Sequence, residues 1–459
     1  MTGNAGELDV IVLGAGPAGE VCAGRLAEAG LEVALVEQEL VGGECSFYAC
    51  MPSKALLRPG QVLHEARRVE GAAQAVTGPL DVAATLARRD EIVHGLDDSA
   101  QLGWLAERGI ELVRGAGELA GERTVRVGER TLRARRAVVL ATGSAAAVPP
   151  VPGLREARPW TNREATTAKQ IPKSLLVLGG GVAGVEMAQA YRSLGAEVTL
   201  VEAAPRLIGG EEELAADLVL AALQRDGVRV LLGAEATAVN RDGAVTMNLA
   251  DGSSLAADEL LMAVGRRART DAIGLDAIGG EADGFLQVDE RMRVGGRDWL
   301  YAVGDVNGHA LLTHMGKYQA RLVARDILGR GERLRSDGAL SPRVIFTEPQ
   351  VAAVGHTLAS ARDAGLDARA VDVGVEANAG GSYIGHGAGG TARIVVDEAR
   401  TVIVGATFVG PEVAESLHAA TIAVVAEVPL ETLWHAVPCF PTRSEIWLNL
   451  LEEHARTAP

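Results

Sequence analysis

The sequence predicts an α/β protein: two copies of one parallel strand–glycine turn–helix–strand module, then a C-terminal α+β region. Three observations carry this. The apolar run Leu8–Leu13 closes on Gly14-Ala15-Gly16-Pro17-Ala18-Gly19, a helical pattern follows to about Gly30, and a second apolar run, Leu31–Val36, ends at Glu37. The same order returns at Ser174–Leu178, Gly179-Gly180-Gly181-Val182-Ala183-Gly184, a helical stretch to Leu194, and Val198–Val201 ending at Glu202. The copies are in constant register, with 179, 181, 184 and 202 each standing 165 after 14, 16, 19 and 37. From Gly338 the composition turns to strands at Arg343–Thr347, Val351–Val354, Ala392–Val396 and Thr401–Val409. Helices are then expected over Glu412–Glu427, over Glu431–Trp434 and after Ser444. At 459 residues there is room for about three domains.

Each module reads as a Rossmann-like dinucleotide site. Gly14, Gly16 and Gly19 allow a tight turn and a close approach of a pyrophosphate to the backbone. The helix behind them offers orphan N–H groups and the positive end of its dipole to that anion. Glu37, 18 residues past Gly19, can accept hydrogen bonds from a ribose diol. Gly179, Gly181, Gly184 and Glu202 repeat the arrangement. A lone glycine fingerprint reads equally well as an ordinary loop. Here the strand, helix, strand and acid are all present, twice, which suggests two nucleotides bound at once.

Bulk properties narrow the partners. Hydrophobic residues make up 48% and charged residues 23%, an ordinary globular balance. The net charge of −16 disfavours nucleic acid and anionic membrane. Residues 1–8 hold no basic region, and glycines break the apolar run from Val10, so neither a signal peptide nor a membrane span is expected. Four cysteines (Cys22, Cys45, Cys50 and Cys439) are too few for a secreted disulfide framework, and a cytoplasmic protein is expected.

The stretch Gly42-Gly43-Glu44-Cys45-Ser46-Phe47-Tyr48-Ala49-Cys50-Met51-Pro52-Ser53-Lys54 organises the rest. At helical spacing its two cysteines stand roughly 7 Å apart along the axis, just beyond disulfide reach, unless the first turn is distorted. By spacing alone, two free buried thiols are the simpler reading. With its flanking Gly-Gly and Pro-Ser-Lys, and a dinucleotide module before it, the stretch resembles the redox-active disulfide of the class I pyridine nucleotide-disulfide oxidoreductases. These include dihydrolipoamide dehydrogenase, glutathione reductase and mercuric reductase. The usual wording is close to GGTCLNVGCxPSK, from which this chain departs at Glu44, Phe47, Tyr48 and Ala49.

The resemblance implies FAD in the first module and a pyridine nucleotide in the second, with a redox-active Cys45–Cys50 disulfide between flavin and acceptor. It makes Cys50 the sulfur beside the flavin and Cys45 the one facing substrate, and pairs Lys54 with Glu186. It adds Gly43, Ala141-Thr142-Gly143 and Gly304-Asp305 to the FAD contacts, Asp305 towards the ribityl chain. It places Gly265 at the exit from the nicotinamide domain. Phe346-Thr347-Glu348-Pro349 resembles the opening of an interface domain that makes these enzymes homodimers. The expected domains are 1–155 for FAD, 156–275 for the pyridine nucleotide, 276–335 for the rest of the FAD domain and 336–459 for dimerisation. Glu202 would accept from a free 2′-hydroxyl and repel a 2′-phosphate, which favours NADH over NADPH. Arg206 lies beyond a turn.

The pattern breaks near its end. Disulfide-reducing members read His-Pro-Thr-x-Ser-Glu, where the His is the thiols' acid/base and the Glu orients it. This chain reads Phe440-Pro441-Thr442-Arg443-Ser444-Glu445. A phenyl ring cannot move a proton. The expectation is therefore a flavoenzyme that passes electrons from NADH through FAD and the dithiol to a small-molecule acceptor, with slow general disulfide reduction. Metal ions and quinones would suffer less. Mercuric reductase and 2-ketopropyl coenzyme M oxidoreductase/carboxylase also carry Phe there. The first has a C-terminal cysteine pair and a Tyr where this chain has Thr442; the second has a His in place of Glu445. A redox-sensing flavoprotein is the non-enzyme reading. Phe47 and Tyr48 either narrow the substrate pocket or fill core. Cys439 reads as interface packing or a third thiol, and His435 as a surface residue or a substitute base.

Overall fold

The computed structural model describes residues 8–281 and 284–457, and the chain divides into two compact units. The first contains residues 1–52, 89–147 and 266–338. Its sheet runs in the order Glu111–Arg114, Val33–Glu37, Leu8–Leu13, Arg130–Leu140, Thr124–Val127, Gly117–Gly121, with Leu300–Ala302 also paired to Arg130–Leu140. The central pairings are parallel, with Leu13 opposite both Val36 and Leu140, and Ala302 opposite Leu140. The carboxyl ends of four strand segments therefore meet at one edge, where open α/β sheets bind ligands.

All six residues of Leu8–Leu13 are buried, as expected for a central parallel strand covered on both faces. After a register shift between Leu8 and Val10, its side chains alternate between two cores. Leu8, Ile11 and Leu13 join Val125, Leu132 and Trp299 on one face; Val10 and Val12 meet Cys22 and Leu26 of the helix Pro17–Glu28 and Val323 of the helix Thr313–Ile327 on the other. The second strand begins at Val33 rather than at the expected Leu31, because the Leu31 N–H closes the preceding helix onto Leu26 O at 3.2 Å.

The second unit contains residues 53–88, 148–265 and 339–459. Four parallel strands run in the order Arg229–Leu232, Glu197–Glu202, Ser174–Leu178, Glu259–Met262. The helix Val182–Ser193 packs on them, burying Tyr191 among Leu56, Leu57 and Ile345. An antiparallel meander, Ala236–Asp242, Ala244–Leu249 and Ser254–Ala257, is attached.

The C-terminal part is a five-stranded antiparallel sheet, ordered Arg343–Ile345, Gln350–Gly355, Val402–Gly410, Thr391–Asp397, Ala368–Gly374. Helices Leu417–Val425 and Ile446–Arg456 cover it, closing a core around Phe408 and Leu450. The strand Ala368–Gly374 escaped the sequence reading because it is an edge with only Val371 buried, so its alternation is weak. The helix expected from Glu412 starts later. Glu412 is left-handed at φ 52°, a 3-10 turn spans Val413–Ser416, and the α-helix begins at Leu417.

Candidate active site

The first glycine turn is set by backbone contacts. Gly14 has φ +100°, and a Cβ there would lie 2.3 Å from Ala141 O. A Cβ on Gly19 would lie 1.9 Å from Gly14 O. These glycines let strand, turn and helix close on one another. Gly16 is different: a Cβ there would meet nothing within 4 Å. It leaves an open cradle at the helix N-terminus that fits a dinucleotide pyrophosphate. Glu37 is fixed beside it, accepting from Ala15 N at 2.7 Å and Glu39 N at 2.8 Å.

The other first-unit residues expected at the flavin gather at this sheet edge. Ala141 N donates to Leu13 O at 2.7 Å. Thr142 Oγ1 donates to Arg269 O at 2.9 Å, and Gly143 O accepts from Arg269 N at 3.0 Å. Gly304, at φ +76°, packs against Ala18 and donates its N–H to Gln319 at 2.8 Å. Asp305 accepts from Ser144 Oγ at 2.5 Å, and Arg266 Nε reaches the same carboxylate oxygen at 3.6 Å.

Above the turn sit the thiols. Gly43 is so close to Gly16 that a Cβ on it would lie 2.7 Å from Gly16 Cα. Cys45 belongs to the short helix Gly43–Phe47 and Cys50 opens the helix Cys50–Arg68. The break at Tyr48 and Ala49, rather than a distortion of one continuous first turn, lets the sulfurs meet. Both are free thiols and are hydrogen-bonded to one another. Thr313 Oγ1 lies 3.5 Å from Cys50 Sγ and is also hydrogen-bonded to Cys45. The Cys50 thiol, followed by burial, pushes Cys45 far above the ordinary thiol range; Thr313 and the Lys317 ammonium pull the other way. By contrast, burial alone pushes Cys22 up to about 12, which leaves it inert.

Two departures from the family wording acquire partners. Glu44 lies 3.3 Å from Arg269 and 3.7 Å from Arg266, tying the cysteine segment to the strand beside Ser144. Phe47 is 1% exposed and fills core under Gly42.

The second unit repeats the turn. Gly179 has φ +107° with a Cβ position 2.5 Å from Ala263 O, a Cβ on Gly184 would lie 1.9 Å from Gly179 O, and Gly181 is open. Glu202 accepts from Gly180 N at 2.5 Å and Ala204 N at 2.7 Å. Arg206 is turned away onto Gly209 O at 2.7 Å. Gly265, φ +129°, follows the strand Glu259–Met262.

Lys54 and Glu186 form the expected pair at 2.7 Å, with Glu186 only 3% exposed. Phe346 N donates to the other Glu186 oxygen at 2.9 Å, and its ring lies 4.7 Å from the ammonium. Breaking such a pair costs about 3–5 kcal/mol through the charge left behind.

The C-terminal stretch of this unit exposes Phe440 at 76%, with Cys439 and His435 also on the surface. Thr442 Oγ1 donates to Cys439 O at 2.6 Å. Glu445 Oε2 is buried without a hydrogen-bond partner. Nothing in the sequence pointed to the contacts of Thr313 and Lys317 with the thiols, of Phe346 with Glu186 and Lys54, or of Glu44 with the two arginines. Thr313 and Lys317, four apart on one helical face, were the only pair with a local signal.

Residues 8–325 match the pyridine nucleotide-disulphide oxidoreductase family, and residues 341–450 match its dimerisation domain. A dihydrolipoyl dehydrogenase of Thermus scotoductus is 34% identical, over 95% of each chain. A mercuric reductase of Staphylococcus aureus is 28% identical over 96% of this chain and 81% of its own. The solved Cu(II) complex of the HOCl-induced flavoprotein disulfide reductase RclA from Escherichia coli superposes with a TM-score of 0.86 at 26% identity, over 97% of this chain and 99% of that one. Family members use FAD and a pyridine nucleotide. With both glycine turns, the adjoining thiols and both matched regions in place, this chain belongs to the class I pyridine nucleotide-disulfide oxidoreductases.

Proposed function

We propose that the protein is an NADH-dependent reductase of a small acceptor, working as a homodimer. FAD, when bound, would supply two-electron transfer between the nicotinamide and sulfur. Gly14, Gly16, Gly19, Glu37, Ala141–Gly143 and Asp305 would hold it. Gly179, Gly181, Gly184 and Glu202 would hold NADH, with Glu202 selecting the free 2′-hydroxyl. Cys50 would be the sulfur that receives the electrons and Cys45 the sulfur that meets the acceptor. The single observation that carries the reading is the dithiol seated on the first glycine turn and bonded to Thr313.

Phe440 sets the acceptor preference. Reducing an organic disulfide requires a proton for each leaving thiolate. Where the family's base would stand, this chain offers a phenyl ring, and Glu445 Oε2 is buried without a hydrogen-bond partner. Acceptors that need electrons without proton delivery, metal ions above all, are favoured. The copper complex of RclA and the mercuric reductase relative support that second reading.

A screen of lipoamide, glutathione disulfide, metal ions and quinones with NADH tests both readings, run on the wild type and on Phe440→His. The substitution should raise lipoamide turnover by on the order of a hundredfold, the low end of a general acid/base contribution. Unchanged disulfide turnover would refute the role given to position 440.

A further inference from the structure

Charged side chains gather around Ser144 in the first unit, and they balance: Arg266 and Arg269 against Glu44 and Asp305. Ser144 is buried and joins them. Its hydroxyl donates to Asp305 Oδ2 at 2.5 Å and accepts from Arg266 Nε at 2.6 Å. Its carbonyl accepts from Arg266 Nη2 and from Arg269 Nε, each at 3.0 Å. The backbone fixes where both arginines start. The strand Arg266–Ala268 pairs with Ser144–Ala146, and Arg269 is held on either side by Gly143 O and the Thr142 hydroxyl.

The two carboxylates divide one guanidinium. Arg266 Nε stands 3.6 Å from Asp305 Oδ2, and its Nη2 stands 3.7 Å from Glu44 Oε2. Arg269 Nη2 turns to Glu44 Oε1 at 3.3 Å. The side chains of all four are 22–29% exposed, so salt screens them less than charges on the open surface.

We propose that Glu44 is a positioning residue for FAD: by engaging Arg269 and sharing Arg266, it leaves the Asp305 carboxylate able to accept from the flavin's ribityl chain. The inference rests on the flavin site proposed above.

Charge balance carries it. With Glu44 neutral, the two guanidinium groups of this cluster are left with one carboxylate, Asp305, which Arg266 already approaches. A guanidinium offers five N–H donors and grips a carboxylate with two of them. That grip occupies the lone pairs a ribityl hydroxyl needs. The family wording carries a neutral Thr at position 44, so the carboxylate is a feature of this chain. Glu44 also stands next to Cys45 on the helix Gly43–Phe47, so the thiol segment and the Asp305 carboxylate share one charge balance.

The test is the rate at which the purified holoenzyme releases FAD on dilution, followed by flavin fluorescence. Glu44→Gln should release it about tenfold faster than wild type, the weight of one hydrogen bond to a charged acceptor. Glu44→Asp, which keeps the charge, should stay close to wild type. Adding Arg269→Gln to Glu44→Gln should bring the rate back towards wild type, because one cation then faces one carboxylate. In an Asp305→Asn background, itself a fast releaser, Glu44→Gln should add nothing. A role in packing alone behaves otherwise: a loosened cysteine helix would speed release in both backgrounds and would not be mended by the second substitution. Wild-type release from Glu44→Gln, no recovery with Arg269→Gln, or an equal acceleration in the Asp305→Asn background overturns the proposal. Should Glu44→Gln not fold, Glu44→Thr is read in its place with the same expected release. Wild-type release from Asp305→Asn would instead overturn the flavin contact on which the proposal rests.

Discussion

The two glycine turns are built alike and finished differently. In both, the first and third glycines are demanded by carbonyls at about 2 Å from where a Cβ would sit, and the acid ending the second strand is held by two backbone amides. The first turn is then roofed. Gly43 presses onto Gly16, Pro17 is half-buried, and Ala18 is wedged against Gly304 and Gly316. In the second turn Gly181, Val182 and Ala183 are all exposed, Val182 at 46%. Under the proposed function, the covered turn would retain its nucleotide beside sulfur and the open turn would exchange it. Identical local sequence logic thus builds two turns, and the covering segment makes the difference between them.

The sharpest way to break the comparison is to insert the same methyl in both. Gly19→Ala puts a Cβ where the Gly14 carbonyl stands and should yield protein purified without flavin, measured by visible absorbance. Gly184→Ala makes the equivalent collision with Gly179 O and should keep the flavin while losing its reduction by NADH. Equal flavin loss in both would show that the turns do not divide the two nucleotides. A smaller effect sharpens the second site. Glu202→Ala should narrow the ratio of kcat/KM for NADH over NADPH about tenfold, or about 1.4 kcal/mol. The equivalent acid in the first turn, Glu37, has no such readout.

What could be read from the chain follows sequence distance. The glycines and the strand-end acids lie within one local module, and their spacing alone dictates the turn. The Lys54–Glu186 pair was expected only through family resemblance, since nothing local joins a helix after the cysteines to one 132 residues later. Glu44 and Arg269 are 225 residues apart and Cys50 and Thr313 are 263 apart, so neither contact left a pattern to find. Phe47 looked as much like a pocket wall as like core, because burial on a five-residue helix depends on what packs over it. The C-terminal stretch was the reverse case. Phe440 is conspicuous by residue type, and the fold adds that Glu445 Oε2, five residues on, is buried without a hydrogen-bond partner.

Electron passage from flavin to sulfur is tested most directly by anaerobic titration with NADH, following long-wavelength absorbance in wild type and Cys50→Ala. Wild type should develop the band of a thiolate beside oxidised flavin after one equivalent, with two thiols becoming titratable. Cys50→Ala should bleach its flavin without that band. A band of undiminished intensity in Cys50→Ala, or wild-type thiols indifferent to NADH, would contradict the assignment of Cys45 and Cys50 as the redox pair.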